Sequence, residues 1–329
     1  MRKVVVTGGA GYIGSHFAHF ISGKGYEVVI LDDLSLGHAK AAGDLPLAIG
    51  NVGDPRFLDS VFGGGDVDAV VHFAAYSKVA ESMTEPAKYY QNNVCAGLEL
   101  LKGMERHGVN KLVFSSTCAL YGEPETLPIT EENQKIPINP YGATKLCFER
   151  MAMDLAAVST LRPVFLRYFN AAGADPEGRL GEDHDPETHL IPLILQTALG
   201  QRESVSIFGS DYPTDDGSCV RDYIHVTDLA DAHLKALEYL DGGGAPDAFN
   251  MGAGKGSSVL QVVEAARRVT GLSISTQPAP RRPGDPSTLI SSSEKAMRVL
   301  GWRPEYTDID IIIETAWHWM KENPDGYDR

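Results

Sequence analysis

The stretch Val4-Val5-Val6-Thr7-Gly8-Gly9-Ala10-Gly11-Tyr12-Ile13-Gly14 decides how this chain is read. A β-branched run passes through a glycine turn into the start of a helix. Gly8, Gly11 and Gly14 let the backbone turn tightly and come close to a pyrophosphate. They also aim the free N–H groups of the helix N-terminus at its phosphates. Glycines serve ordinary strand-to-helix turns as well, so the position directly after the first strand is what favours a ligand. About 20 residues on, a second apolar run ends in Leu31-Asp32-Asp33, where dinucleotide folds place an acid on the ribose 2′-hydroxyl. A carboxylate there repels a 2′-phosphate, so the expected cofactor is NAD rather than NADP.

Working outward, short β-branched runs alternate with helical stretches over residues 1–170. Strands are expected at Lys3–Thr7, Glu27–Leu31, Ala69–His72, Lys111–Ser115 and Val164–Tyr168. Several are apolar throughout, as in a parallel sheet covered on both faces. This rhythm predicts an α/β fold with a doubly wound, Rossmann-type parallel sheet. After Asn170 the rhythm breaks into shorter elements and turn-rich pieces such as Gly209–Gly217 and Pro278–Pro286. The run Ala248–Met251 reads as a strand returning to the main sheet. The expected organisation is therefore an NAD-binding domain over 1–170, with a returning segment near 225–252. A smaller, interleaved α/β substrate-binding lobe takes most of 171–329. Ile309, Ile312, Ile313, Ala316, Trp317 and Met320 keep helical spacing, the mark of a core-facing stripe, and Pro324 ends that helix.

Composition narrows the partners. The net charge is −15, which gives no general attraction for nucleic acid or an anionic membrane. An anionic ligand must then be held by local arginines and backbone N–H groups. Cys95, Cys118, Cys147 and Cys219 are scattered, with no C-x-x-C pair. That pattern argues against a disulfide framework or a zinc site, and no metal is expected. No apolar run reaches the ~20 residues of a membrane span, and the N-terminus carries no signal-peptide pattern. The expectation is a cytoplasmic protein.

Pro140-Tyr141-Gly142-Ala143-Thr144-Lys145 places a phenol and an ammonium four residues apart, on one helix face. A free tyrosine, with a pKa near ~10, is too weakly acidic to serve as a base at neutral pH. A neighbouring ammonium and a positive nicotinamide ring favour the phenolate. An isolated Tyr-x-x-x-Lys is common, but here the strand ending in Ser115-Ser116-Thr117 precedes it. Strand C-termini are where doubly wound sheets place ligands. Thr117 lies 24 residues before Tyr141, so the two hydroxyls can converge on one substrate oxygen.

With these residues the chain resembles the sugar-nucleotide epimerases of the extended short-chain dehydrogenase/reductase family, over essentially its whole length. The glycine loop through Ser15-His16, His72-Phe73-Ala74-Ala75, Tyr89-Tyr90-Gln91-Asn92-Asn93 and Leu166-Arg167-Tyr168-Phe169-Asn170 carry the likeness. So do Asp211-Tyr212-Pro213-Thr214-Asp215-Asp216-Gly217, Val220-Arg221-Asp222-Tyr223-Ile224-His225-Val226 and the late segment Ala279-Pro280-Arg281-Arg282-Pro283-Gly284-Asp285. The resemblance implies 4-epimerisation of a UDP-hexose, with UDP-glucose and UDP-galactose as the expected pair. Tyr141 is then the base, Lys145 holds the nicotinamide ribose and lowers the tyrosine pKa, and Thr117 binds the 4′-oxygen. For the cofactor it implies Gly8, Gly11, Tyr12, Ile13, Gly14, Asp32, Asp33, Asn51, Val52, Phe73, Ala74, Ala75, Asn92, Ser115 and Tyr168. For the substrate it implies Asn170, His189, Leu190, Phe208, Arg221, Arg282, Asp285 and Leu289, the two arginines clamping the diphosphate. It also implies a homodimer, formed by a helix around Ala87–His107 and the helix of Tyr141.

The chain departs from the family pattern in three places. Asn51 follows Gly50 where some members have aspartate. Ser77 stands where some have lysine, with Lys78 one place later. Leu289 stands where members have tyrosine or a smaller residue. Rival readings are fewer. A 4,6-dehydratase or decarboxylase on this fold needs an acid after Thr117, whereas Cys118-Ala119 follow. Epimerases of N-acetylhexosamine, pentose or uronate sugar nucleotides are nearer alternatives. A non-catalytic dinucleotide sensor typically lacks the tyrosine or lysine, and both are here.

Overall fold

The computed structural model describes residues 2–282 and 285–327. Pro283 and Gly284 of the late substrate segment lie outside the described residues. The first six strands are β1 Lys3–Thr7, β2 Glu27–Asp32, β3 Leu47–Ile49, β4 Val67–His72, β5 Lys111–Thr117 and β6 Arg162–Tyr168. They are followed by β7 Asn170–Ala172, β8 Val205–Phe208, β9 Val220–His225, β10 Asp247–Met251, β11 Gly256–Ser258, β12 Thr276–Ala279 and β13 Thr288–Leu289. Seven of them form one parallel sheet in the order β10-β6-β5-β4-β1-β2-β3.

Burial on both faces explains the apolar runs. Val4 and Val6 pack with Phe17, Ile21 and Ile30 on one face. Val5 packs with Leu31, Val70, Leu100 and Phe148 on the other. Alternate strand residues thus enter different cores, and none of the three central valines of β1 faces solvent. The returning run forms β10, which pairs with β6 from Asp247↔Val164 to Met251↔Tyr168. The edge strand β3 is not legible beforehand, because three residues between Pro46 and Gly50 carry no usable alternation.

The glycines act through space as much as through torsion. Gly8 has φ +69, and a Cβ there would meet the Ala74 nitrogen at 2.5 Å; a Cβ on Gly14 would meet the Gly8 carbonyl at 2.2 Å. The loop therefore closes against the residues after β4, where the Phe73 and Ala74 N–H groups donate to the Thr7 carbonyl at 2.9 and 3.2 Å.

The remaining strands build a four-stranded sheet, β11-β9-β13 with β7 on β9, and a two-stranded β12-β8 ribbon. Helices Leu190–Ala198, Val259–Thr270 and Ile309–Glu322 share one apolar core beside them. The final helix buries Ile312, Ile313, Ala316 and Trp317, the stripe expected of it. One expectation needs correcting. Pro278 and Ala279, read as part of a turn-rich piece, lie in β12 and pair in parallel with Ile207 and Phe208. Proline is tolerated there because the ribbon is all edge. No helix among the described residues is long and apolar enough to cross a membrane.

Candidate active site

The helix Pro140–Ala156 starts on two local signals. The Asn139 side chain accepts from the Gly142 N–H at 2.8 Å, and Pro140 fills the first turn. Gly142 allows a close approach, since a Cβ there would sit 2.5 Å from the Ala119 carbonyl. This seats Tyr141 against the turn that follows β5. The Thr117 hydroxyl accepts from the Ala119 N–H at 3.1 Å and also lies against the Tyr141 phenol.

Lys145 sits one turn on and is 2 % exposed. Its ammonium donates to the Ser115 carbonyl at 2.7 Å. It lies 4.7 Å from the Phe114 ring centroid and 6.0 Å from that of Tyr141. Burial lowers the Lys145 pKa to about 7, with the Glu149 carboxylate pulling the other way. Burial pushes the Tyr141 phenol up to about 12, opposed by the neighbouring Thr117 hydroxyl. Burial thus moves the two groups apart, the ammonium toward its neutral form and the phenol away from ionisation. The Ser115 and Tyr168 hydroxyls are hydrogen-bonded beside them.

Beneath this pair lies a charged network that sequence reasoning missed. Arg167 holds Glu149 through two bonds, of 2.9 and 2.5 Å. Ser116 Oγ donates to the same carboxylate at 2.6 Å, and Arg167 donates to the Tyr121 hydroxyl at 3.0 Å. Glu149 is four residues past Lys145, so the helical spacing that linked Tyr141 to Lys145 also pointed to it. Arg167 stands within the quoted Leu166–Asn170 segment.

On the dinucleotide side, Asp32 closes β2 against the glycine loop. Its carboxylate accepts from the Ala10 N–H at 3.0 Å and the Leu34 N–H at 2.9 Å. Asp33 accepts from Ser35 N–H at 3.0 Å and from the Asn51 amide at 2.8 Å, while Asn51 Oδ1 accepts from Gly53 N–H at 2.8 Å. This accounts for the asparagine: an ionised aspartate could not donate to Asp33. Tyr12 donates to the Gly173 carbonyl at 2.6 Å, tying the loop to the chain beyond β7. Ile13 and Phe73 pack on one core, and Val52 and Ala74 on the other. Asn92 lies in the π-helical turn Tyr90–Ala96, beside an open cavity of about 660 Å³ that Asn51, Gly53 and Tyr76 also line. Ala75 follows Ala74 and is half-buried. Lys78 does not reach this centre; its ammonium is 3.5 Å from the Asp185 carbonyl.

The helix Tyr12–Ser22 has no side chain capping its N-terminus, and a Cβ on Gly11 would meet only the Gly8 carbonyl, at 3.4 Å. The space over its first N–H groups is therefore left clear by the protein. Together with the acid at the end of β2, these residues fit NAD.

On the far side of Tyr141, β9 sets Arg221 opposite Leu289 of β13. Arg221 is ion-paired with Asp285, and its other arm donates to the Val220 carbonyl at 2.8 Å. The Arg282 guanidinium lies 3.9 Å over the Phe208 ring. Leu289 packs against the cluster of Cys118, Leu120, Leu146 and Phe169, which joins the late strand to the Thr117 turn. Asn170 pairs with Tyr223 in β7. His189 precedes the helix Leu190–Ala198, and its ring turns toward Glu182 and Glu187. Leu190 is half-buried against the core of that lobe.

A model of the NAD dependent epimerase/dehydratase family matches residues 4–252. The chain belongs to this family. Among its members, the UDP-glucose 4-epimerase of Halalkalibacterium halodurans is 54% identical over 324 residues, covering 98% of this chain and 97% of the relative. The structure of the UDP-glucose 4-epimerase from Brucella ovis in complex with NAD is similar at a TM-score of 0.94, with 46% identity, covering 97% and 98% of the two chains. That from Bifidobacterium longum in complex with NAD+ and UDP also gives 0.94, at 37% identity, covering 99% and 100%.

Proposed function

We propose that the chain interconverts UDP-galactose and UDP-glucose by epimerisation at C4 through a 4-keto sugar, as an NAD-dependent isomerase. The observation that carries this reading is the meeting of Thr117, Tyr141 and Lys145 at the C-terminal end of β5. Bound NAD supplies a hydride acceptor and donor at the sugar C4. Gly8, Gly11, Gly14 and the helix behind them hold its pyrophosphate, and Asp32 holds its ribose. Tyr141 takes the 4-hydroxyl proton and later returns it, and Thr117 steadies the same oxygen. Lys145 stabilises the phenolate and binds the nicotinamide ribose. Epimerisation has no net redox change, so the cofactor stays on the protein. The test is to mix purified protein with UDP-galactose and no added nicotinamide. UDP-glucose is the expected product; free NADH formed in proportion to substrate would mark a dehydrogenase instead.

The sugar must present both faces to one centre, so the anchor is the nucleotide. Arg221 and Arg282 grip the diphosphate with planar guanidinium forks. Asn170, His189, Leu190, Phe208 and Asp285 border the same ligand. Unchanged inhibition by UDP in both Arg221→Ala and Arg282→Ala would contradict the clamp. We read the molecule as a cytoplasmic homodimer, paired through the helical stretch around Ala87–His107 and the helix of Tyr141, symmetric dimers being the commonest oligomers. Light scattering should give the mass of two chains.

Leu289 sets the choice of hexose. It is smaller than tyrosine, carries no hydroxyl, and packs against the Thr117 turn. It leaves an N-acetyl group some room but no hydrogen bond. An unsatisfied amide costs roughly 1–3 kcal/mol. The N-acetylated pair should therefore react about one to two orders of magnitude more slowly than UDP-glucose and UDP-galactose. Leu289→Tyr should abolish the slow activity and spare the main one, as read by kcat/KM on both pairs. Equal efficiency on both pairs in the unaltered chain would contradict this pocket.

A further inference from the structure

Between β7 and the helix Leu190–Ala198 the chain gathers Glu182, His184, Glu187 and His189. One ligand atom from each lies within 4.8 Å of all the others. The two carboxylates are deeply buried, their side chains 8% and 4% exposed. His189 Nδ1 stands 2.8 Å from Glu182 and 2.9 Å from Glu187. His184 Nδ1 stands 3.2 Å from Glu182 and 3.5 Å from Glu187. A tetrahedron with metal–ligand bonds of about 2.0–2.1 Å has edges of about 3.3 Å, and the contacts are of that order, with Glu187 turning Oε1 to His189 and Oε2 to His184.

One atom separates this cluster from an ordinary ion-pair network. His184 Nδ1 is fully buried and close to both carboxylates, yet it makes no hydrogen bond to either among the described residues. Its ring nitrogen is near both oxygens without being aligned on one of them, as a ligand aimed at a shared centre is. One carboxylate is braced by its own backbone: Glu187 Oε1, which faces His189 Nδ1 at 2.9 Å, also accepts from the Thr188 and His189 N–H groups at 2.6 and 2.7 Å. Such outer bonds are what orient metal ligands.

We propose that Glu182, His184, Glu187 and His189 bind one zinc ion. Two imidazoles and two carboxylates in a compact set suit zinc, whereas calcium takes six to eight oxygen ligands. Four protein ligands leave no open position, so the ion is structural. Its place gives it a purpose. The His184 ring meets the edge of Tyr12 at 6.3 Å between centroids, and the Asp183 carbonyl lies 3.1 Å from His38 Nε2. The ion thus fastens the segment before Leu190 against the glycine loop, joining the two ligand-binding sides. This inference does not depend on the proposed reaction, because its readout is metal content.

The test uses the full chain, stripped with a chelator, returned to buffer and titrated with zinc alone. Elemental analysis after dialysis should give about one zinc per chain. Cobalt in its place should give the strong visible bands of a four-coordinate site. Glu182→Gln and His184→Ala should each weaken zinc retention by at least about tenfold, with circular dichroism unchanged in the more conservative Glu182→Gln. A folded, unaltered chain that retains no stoichiometric zinc would overturn the proposal. So would retention unaffected by both substitutions, or a weak octahedral cobalt spectrum.

Discussion

Tyr141→Phe should lower kcat by about 10²–10⁴-fold, the usual contribution of a positioned acid–base group, while the chain still binds NAD and UDP. The ring stays, so the packing beside Gly142 and the Thr117 turn is kept; only the hydroxyl goes. Thr117 then keeps its bond from the Ala119 N–H and loses the phenol it faces. What is lost is the atom that receives the 4-hydroxyl proton. Equilibrium dialysis with UDP and measurement of retained NAD separate this from a binding defect. Turnover within threefold of the unaltered chain would remove Tyr141 from the chemistry.

Lys145→Met should cost a comparable factor in kcat, at least about 10²-fold, and should also move the pH profile. In the free chain the Tyr141 phenol is pushed up to about 12 by burial, so it is protonated throughout the working range. A positive charge nearby favours the phenolate and brings that value down. Removing the ammonium therefore raises the phenol pKa, and the rising limb of kcat shifts to higher pH. Methionine keeps the length of the stem over Phe114 and leaves the Ser115 carbonyl without its 2.7 Å partner. A profile lowered in height but unmoved in pH would show that Lys145 acts on position alone. A kcat close to that of the unaltered chain would exclude both roles.

The parts legible in the sequence share one property: a short-range pattern with a single physical cause. β1 reads as a strand because Val4, Val5 and Val6 are buried from both sides. The Gly8-Gly11-Gly14 spacing reads as a cradle because Gly8 and Gly14 have no room for a Cβ and Gly11 leaves the helix N-terminus open. The approach of Thr117 to Tyr141 follows from a strand end and a four-residue helical spacing, each visible by itself, whereas the Asn139 cap that starts the helix is a finding of the structure. The missed features depend on contacts between distant segments. Glu149 and Arg167 look like ordinary surface charges until β6 and the helix Pro140–Ala156 are brought together. Pro278 reads as a turn until Val205–Phe208 supplies a neighbour. The Glu182–His189 cluster is a different case: its two histidines and two glutamates lie within eight residues, but their spacing matches no metal motif, and only the folded segment turns them to one point.

The central claim is that hydrogen leaves C4 of the sugar and returns to the same carbon without meeting water. UDP-galactose deuterated at C4, incubated with the purified chain in ordinary water and without added nicotinamide, tests it directly. The account predicts UDP-glucose that retains the deuterium at C4. Deuterium replaced by solvent hydrogen would mean that C4 is deprotonated instead, and would contradict the account.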